Sequence, residues 1–207
     1  MKYKEERKEV AWFMRRLYKK GLTTTSGGNI SLRISDDLIL ITPSATDKGS
    51  MKWKEVGIMK MSGENLTPDL KPSIESGMHL AIYNRKNVNA IVHAHPVFAT
   101  SFTAMKKKID TSLTAEACAI LGEPVFVPYG LMGTGDLAEN AANCIERSDI
   151  LLLENHGVLA AGRDLLQAFD RIEVLEAAAK MTVITRTMGK KSPLTRFRID
   201  EIKKIFS

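Results

Sequence analysis

Val10, Phe13, Met14 and Leu17 recur at helical spacing, and the Gly21 that follows them can take the left-handed conformation that closes a helix. From Ile30 to Ile34 the spacing changes to strict alternation, as in a half-buried strand. After the turn at Asp36-Asp37, Leu38-Ile39-Leu40-Ile41 predicts a second strand, and Val56 to Met61 a third. Helical residues return with Met78, Leu80, Ala81, Ile82 and Tyr83, and Pro72 and Ser73 place the start of that helix within Lys71-Pro72-Ser73-Ile74-Glu75. The apolar run from Val88 reads as a buried strand, with a short helix from Pro96 towards Phe102. Next come a helix from Thr114 to Leu121, stopped by Gly122 and Pro124, a strand at Val125-Phe126-Val127, and a helix from Gly135-Asp136 to about Arg147. Ile150 to Leu153 and Val158 to Ala161 predict a hairpin. Beyond the N-cap Asp164, one face of a long helix carries Leu165, Phe169, Ile172, Leu175 and Ala179 as far as Gly189. The tail from Leu194 to Phe206 reads as a short helix or as an arm docking on another subunit. Strands joined mainly by short turns, with helices at intervals, predict an α/β chain whose largely antiparallel sheet is covered by helices.

There is no internal repeat and no linker, and 207 residues with 44% hydrophobic content fit a single domain over 1–207. No run approaches the roughly 18 apolar residues of a membrane span. Met1 to Lys20 is charged and amphipathic rather than a signal peptide, so a cytoplasmic protein is expected. The net charge of +6 is spread over Lys106-Lys107-Lys108, Lys190-Lys191 and Lys203-Lys204, without interleaved aromatics or a binding motif. No nucleic-acid partner is therefore expected, and the mild positive field suits an anionic substrate. Cys118 and Cys144 stand outside any Cys-x-x-Cys pattern and read as buried thiols.

The chemistry centres on Ile91-Val92-His93-Ala94-His95-Pro96. Alternate strand residues share a face, so His93 and His95 project side by side and can close on one cation. The alternative is a pair of histidines hydrogen-bonded at a strand end. What favours the metal is that the chain has four histidines, and a third, His156, also stands where an apolar strand gives way to a turn. Three such histidines suit a catalytic zinc with one coordination position open. The fourth, His79, falls in a helical pattern and reads as packed or surface, and Glu75 by itself reads as a surface helix acid. Two turns rich in hydroxyls, Thr24-Thr25-Ser26-Gly27-Gly28-Asn29 and Thr42-Pro43-Ser44-Ala45, offer backbone N–H groups of the kind that hold phosphate.

The order Ser-Gly-Gly-Asn, Thr-Pro-Ser, Pro-Ser-x-Glu, His-x-His and Asn-His-Gly, from residue 26 to 157, resembles the class II aldolase and adducin family over nearly the whole chain. The resemblance implies a three-layer α/β/α subunit with a central, largely antiparallel sheet, in a homotetramer with active sites between subunits. It implies one Zn2+ per subunit on His93, His95 and His156, with Glu75 completing the shell. Phosphate would be held by Gly28, Asn29, Ser44, Ala45, Ser73 and Ile74. The implied reaction is metal-dependent cleavage of a phosphorylated ketose to dihydroxyacetone phosphate and an aldehyde through a metal-stabilised enediolate, with Glu75 as the catalytic acid or base. Dehydration of methylthioribulose 1-phosphate and 4-epimerisation of a ribulose phosphate are alternatives on the same scaffold. Two departures stand out. The tyrosines that aldolase members use at the aldehyde end, near residues 114–116 and in the tail, have no match here, and Glu116 is a possible substitute. Ala45 and Ile74 replace a commoner glycine and a commoner hydroxyl residue.

Overall fold

The computed structural model describes residues 2–189 and 191–206; Met1, Lys190 and Ser207, including one lysine of the Lys190-Lys191 pair, lie outside the described residues. Seven strands, β1 (Asn29–Arg33), β2 (Leu38–Ile41), β3 (Gly57–Lys60), β4 (Ala90–Ala94), β5 (Val125–Val127), β6 (Ile150–Leu153) and β7 (Gly157–Gly162), form one sheet in the order β3-β2-β1-β4-β7-β6-β5. The helices are α1 (Lys4–Lys19), α2 (Ser76–Arg85), α3 (Val97–Met105), α4 (Ala115–Leu121), α5 (Gly135–Ile145), α6 (Leu165–Met188) and α7 (Arg196–Phe206), with a 3-10 turn at Trp53–Glu55. Every pairing is antiparallel except β5 with β6. That exception follows from α5, the crossover a parallel pair requires.

The alternation read in the sequence sorts side chains onto two faces. Ala90, Val92 and Ala94 join Ile30, Leu40 and Ala160 in a core that includes Val10, Phe13, Phe102, Phe169 and Leu175 from α1, α3 and α6. Ile91 joins Ile39, Leu151 and Leu159 against Ile82 of α2 and Leu137 of α5. The layers are therefore α/β/α. His93 continues the Ile91 row, which aims it at the α2 side of the sheet. Among the described residues, no helix is long and apolar enough to cross a membrane.

One boundary departs from expectation in a way that shapes the site. The helix predicted to open at Lys71–Glu75 begins at Ser76, and Glu75 is its N-cap residue. Residues 71–73 are drawn out instead along the second hydroxyl-rich turn: Pro43 and Pro72 form an isolated bridge, and Ser44 N donates to Lys71 O at 3.0 Å. At the other end of the chain, the tail forms α7 and packs on α4 of the same chain.

Candidate active site

Three turns meet at one end of the sheet. Lys48 N donates to Thr25 O (2.8 Å), joining the 24–29 turn to the 42–48 segment. Ser44 Oγ donates to Pro72 O (3.0 Å) and accepts from Ile74 N (2.9 Å), joining that segment to 71–75. Gly28, Asn29, Ser44, Ala45, Ser73 and Ile74, scattered in sequence, thus share one rim.

The histidines occupy the same end. His93 is wholly buried, and its Nδ1 donates to Val158 O at 2.9 Å on the neighbouring strand. A carbonyl can only accept, so the proton sits on Nδ1 and the Nε2 lone pair faces the site. His95 is positioned by its backbone N–H on Leu22 O (3.1 Å), and His156 by its own on Leu153 O (3.1 Å), in a β6–β7 turn where Asn155 takes the left-handed conformation. One coordinating atom from each histidine lies within 4.8 Å of those of the others. Glu75 reaches in from the start of α2: Oε2 stands 3.2 Å from His93 Nε2, and Oε1 3.0 Å from His156 Nε2. Asn29 Nδ2 donates to Glu75 Oε2 at 2.7 Å and fixes the carboxylate.

This donor set fits a divalent cation. His95 Nε2 stands 3.0 Å from His93 Nε2, and two lone pairs at that separation repel unless a proton or a cation lies between them. Glu75 Oε1 is buried and accepts no hydrogen bond among the described residues, despite the nearby His156 nitrogen. Such unmet acceptor capacity around three imidazoles and a carboxylate is what a borderline-soft cation satisfies. The local charges agree. Burial acts to raise the Glu75 carboxyl, but His93 and His156 outweigh it and hold it well below the usual carboxylate range. Burial opposes charge on His93, and Glu75 outweighs that to raise its pKa. Burial, then His93 and His156, push His95 down to about 3, which leaves a neutral imidazole.

Sequence reasoning missed three supports of the cluster. The first is Ser31, whose Oγ lies 2.6 Å from His79 Nδ1 and 2.8 Å from the Tyr83 hydroxyl. This buried triad ties α2 to β1, one turn beyond Glu75, so His79 is a fully buried polar anchor. Burial, with His93 alongside, pushes it down to about 3 and keeps it neutral. The second is Glu176, whose carboxylate accepts from Phe98 N (3.0 Å) and Ala99 N (2.8 Å) and so holds the start of α3 directly after His95-Pro96. The third is the close approach of Gly27 and Gly157. A Cβ on Gly27 would lie 2.8 Å from His95 Nδ1, and one on Gly157 would strike the His95 ring and sit 2.7 Å from Ala94 O. The motif glycines were legible, but not what they pack against. We expect Gly157→Ala to destabilise the fold by about 1–3 kcal/mol through overpacking and to displace His95. Thermal unfolding together with retained metal after dialysis measures both; wild-type values for the two would contradict the packing role. Glu116, by contrast, is exposed in the first turn of α4 and makes no hydrogen bond or ion pair with the cluster.

A sheet between two helical layers, with three imidazoles and a carboxylate converging at one end of it, describes a metal-dependent enzyme. Residues 8–183 match the model of the Class II Aldolase and Adducin N-terminal domain, and the chain belongs to that family. It is 36% identical over 175 residues to an L-fuculose phosphate aldolase of Methanococcus maripaludis, covering 84% of this chain and 93% of that protein. A 3-oxo-tetronate 4-phosphate decarboxylase of Haemophilus influenzae is 33% identical over 173 residues, 81% of each chain. A solved L-fuculose 1-phosphate aldolase superposes with a TM-score of 0.91 at 30% identity, over 100% of this chain and 98% of that one. The protein is accordingly a carbon–carbon lyase of the class II, metal-dependent kind.

Proposed function

We propose that this protein is a zinc-dependent aldolase that reversibly cleaves an L-fuculose 1-phosphate-like ketose to dihydroxyacetone phosphate and an aldehyde such as lactaldehyde. The observation that carries the reading is the convergence of His93, His95, His156 and Glu75 beside three joined turns. A divalent cation on the three histidines, with Glu75 completing the shell when substrate is absent, supplies Lewis acidity towards the ketose carbonyl and its neighbouring hydroxyl. Glu75, oriented by Asn29, gives a proton to the carbon released by cleavage, which becomes the hydroxymethyl carbon of dihydroxyacetone phosphate, and removes it in the synthetic direction. Gly28, Asn29, Ser44, Ala45, Ser73 and Ile74 line the phosphate end. Support for this comes from the N–H groups of Gly28 and Ala45, which donate to no acceptor among the described residues.

Ile74, Leu131 and Met132 are exposed, and Gly133 lies against Ile74, giving the mouth an apolar rim suited to a neighbouring subunit. We therefore place the site at a subunit boundary of a homotetramer of single-domain, cytoplasmic chains. The resemblance to the decarboxylase favours one second reading, decarboxylation of a 3-oxo acid phosphate at the same centre. Product analysis separates the two. The zinc-loaded protein, given a panel of ketose 1-phosphates, is expected to release dihydroxyacetone phosphate and aldehyde in equal amounts. Release of CO2 from 3-oxo-tetronate 4-phosphate, with no aldehyde from any ketose, would establish the decarboxylase instead.

A further inference from the structure

Lys48 is 1% exposed, yet among the described residues it pairs with no carboxylate. Its Nζ donates to Pro43 O at 2.5 Å and reaches Thr46 Oγ1 at 3.4 Å, so the side chain curls back beneath the turn that carries Ser44 and Ala45. Its own backbone N–H is the bond that ties this turn to Thr25. An interior ammonium without an anion is costly, and a protein that keeps one has an anion to bind or a geometry to enforce.

The surroundings favour both. Above Lys48 the backbone turns through a left-handed Ala45 (φ 52°), and the N–H groups of Ala45 and Thr46 donate to no acceptor among the described residues. The N–H groups of Gly27 and Gly28, across the Thr25 link, are equally free. Two turns with unspent donors are thus fastened together by a residue bearing a buried positive charge. We propose that Lys48 supplies the fixed charge of the phosphate cradle from behind its backbone, positioning both turns and recognising the dianion of a phosphate monoester. The proposal rests on the phosphate end lying at these turns, as placed above.

Lys48 thereby acts on binding and not on the bond-breaking step. Its removal weakens the anion and leaves the donor set of Glu75 and the histidines in place. The charged and titratable groups around it are Glu55 on the 3-10 turn, whose Oε2 accepts from Lys52 N, and Asp47, turned outward to Gly49 N and Ser50 Oγ. On α1 they are Arg15, held on Met51 O, and Tyr18, beside Gly49. Burial lowers Lys48 to about 8, with Glu55 opposing. Sulfate remains a dianion between pH 7.5 and 9.5, so a change in its binding over that range does not come from the anion.

The experiment is calorimetric titration of the full chain with sulfate and with inorganic phosphate, on wild type, Lys48→Met and Lys48→Arg. Lys48→Met is expected to weaken both anions by about tenfold or more, with Lys48→Arg restoring most of the loss as a retained charge should. In turnover, KM for the ketose phosphate should rise while kcat and metal content stay near wild type. Should Lys48→Met fail to fold, the wild type still decides: its sulfate affinity should fall several-fold between pH 7.5 and 9.5. Anion binding indifferent both to the substitution and to that pH rise would overturn the role of Lys48 alone. Wild type that binds neither anion would remove the phosphate placement and this proposal with it.

Discussion

Glu75→Gln is expected to lower turnover of the ketose phosphate by roughly a hundredfold to ten-thousandfold, the range of a lost general acid or base, while zinc and phosphate still bind. Glutamine keeps the length of the side chain and an oxygen to accept from Asn29 Nδ2, so the start of α2 holds its place. What disappears is the capacity to carry a proton. In the parent protein that capacity is shaped by a buried carboxylate between two imidazole nitrogens, 3.2 and 3.0 Å away. Steady-state kinetics beside elemental analysis of the same sample measures the split, and turnover near wild type with full metal would remove Glu75 from the chemistry.

His95→Ala is expected to weaken metal retention by at least about a hundredfold, beyond what loss of a supporting group outside the ligand set costs, with little change in unfolding. The choice among the histidines matters. His93 is wholly buried, and its loss would strand the Val158 carbonyl, confounding metal loss with misfolding. The His95 ring sits at the strand end, and its recorded polar contact is His93 Nε2, so its removal opens the donor set without orphaning a backbone group. Metal content after dialysis against a weak chelator, together with a melting curve, provides the check; undiminished metal in this variant would exclude His95 as a ligand.

The sheet was legible because period-two alternation is a direct imprint of two-sided burial: Ile39 and Leu40, adjacent in sequence, lie in different cores. The three histidines were legible because each ends an apolar run, and the geometry of a strand end leaves little freedom for where such a ring goes. Glu75 was not legible from local pattern. Pro72 and Ser73 are good helix starters, but their backbone is captured by the 43–44 turn, a contact between segments nearly 30 residues apart that no local spacing encodes. The Ser31–His79–Tyr83 triad escaped for a related reason: serine in an alternating strand reads as outward-facing, and only the packing of α2 over β1 shows it buried. Lys48 escaped because a lone lysine in a turn reads as solvated, and only the structure shows its side chain folded back onto Pro43 O and buried.

The measurement that bears most directly on the central claim is a metal titration of chelator-stripped protein, with release of dihydroxyacetone phosphate from a ketose 1-phosphate followed at each step. Release should be absent in the stripped protein and rise in proportion to bound zinc, levelling at one ion per chain. Release that proceeds unchanged without metal, or an ion bound one per chain that evokes no triose phosphate from any ketose 1-phosphate, would contradict it.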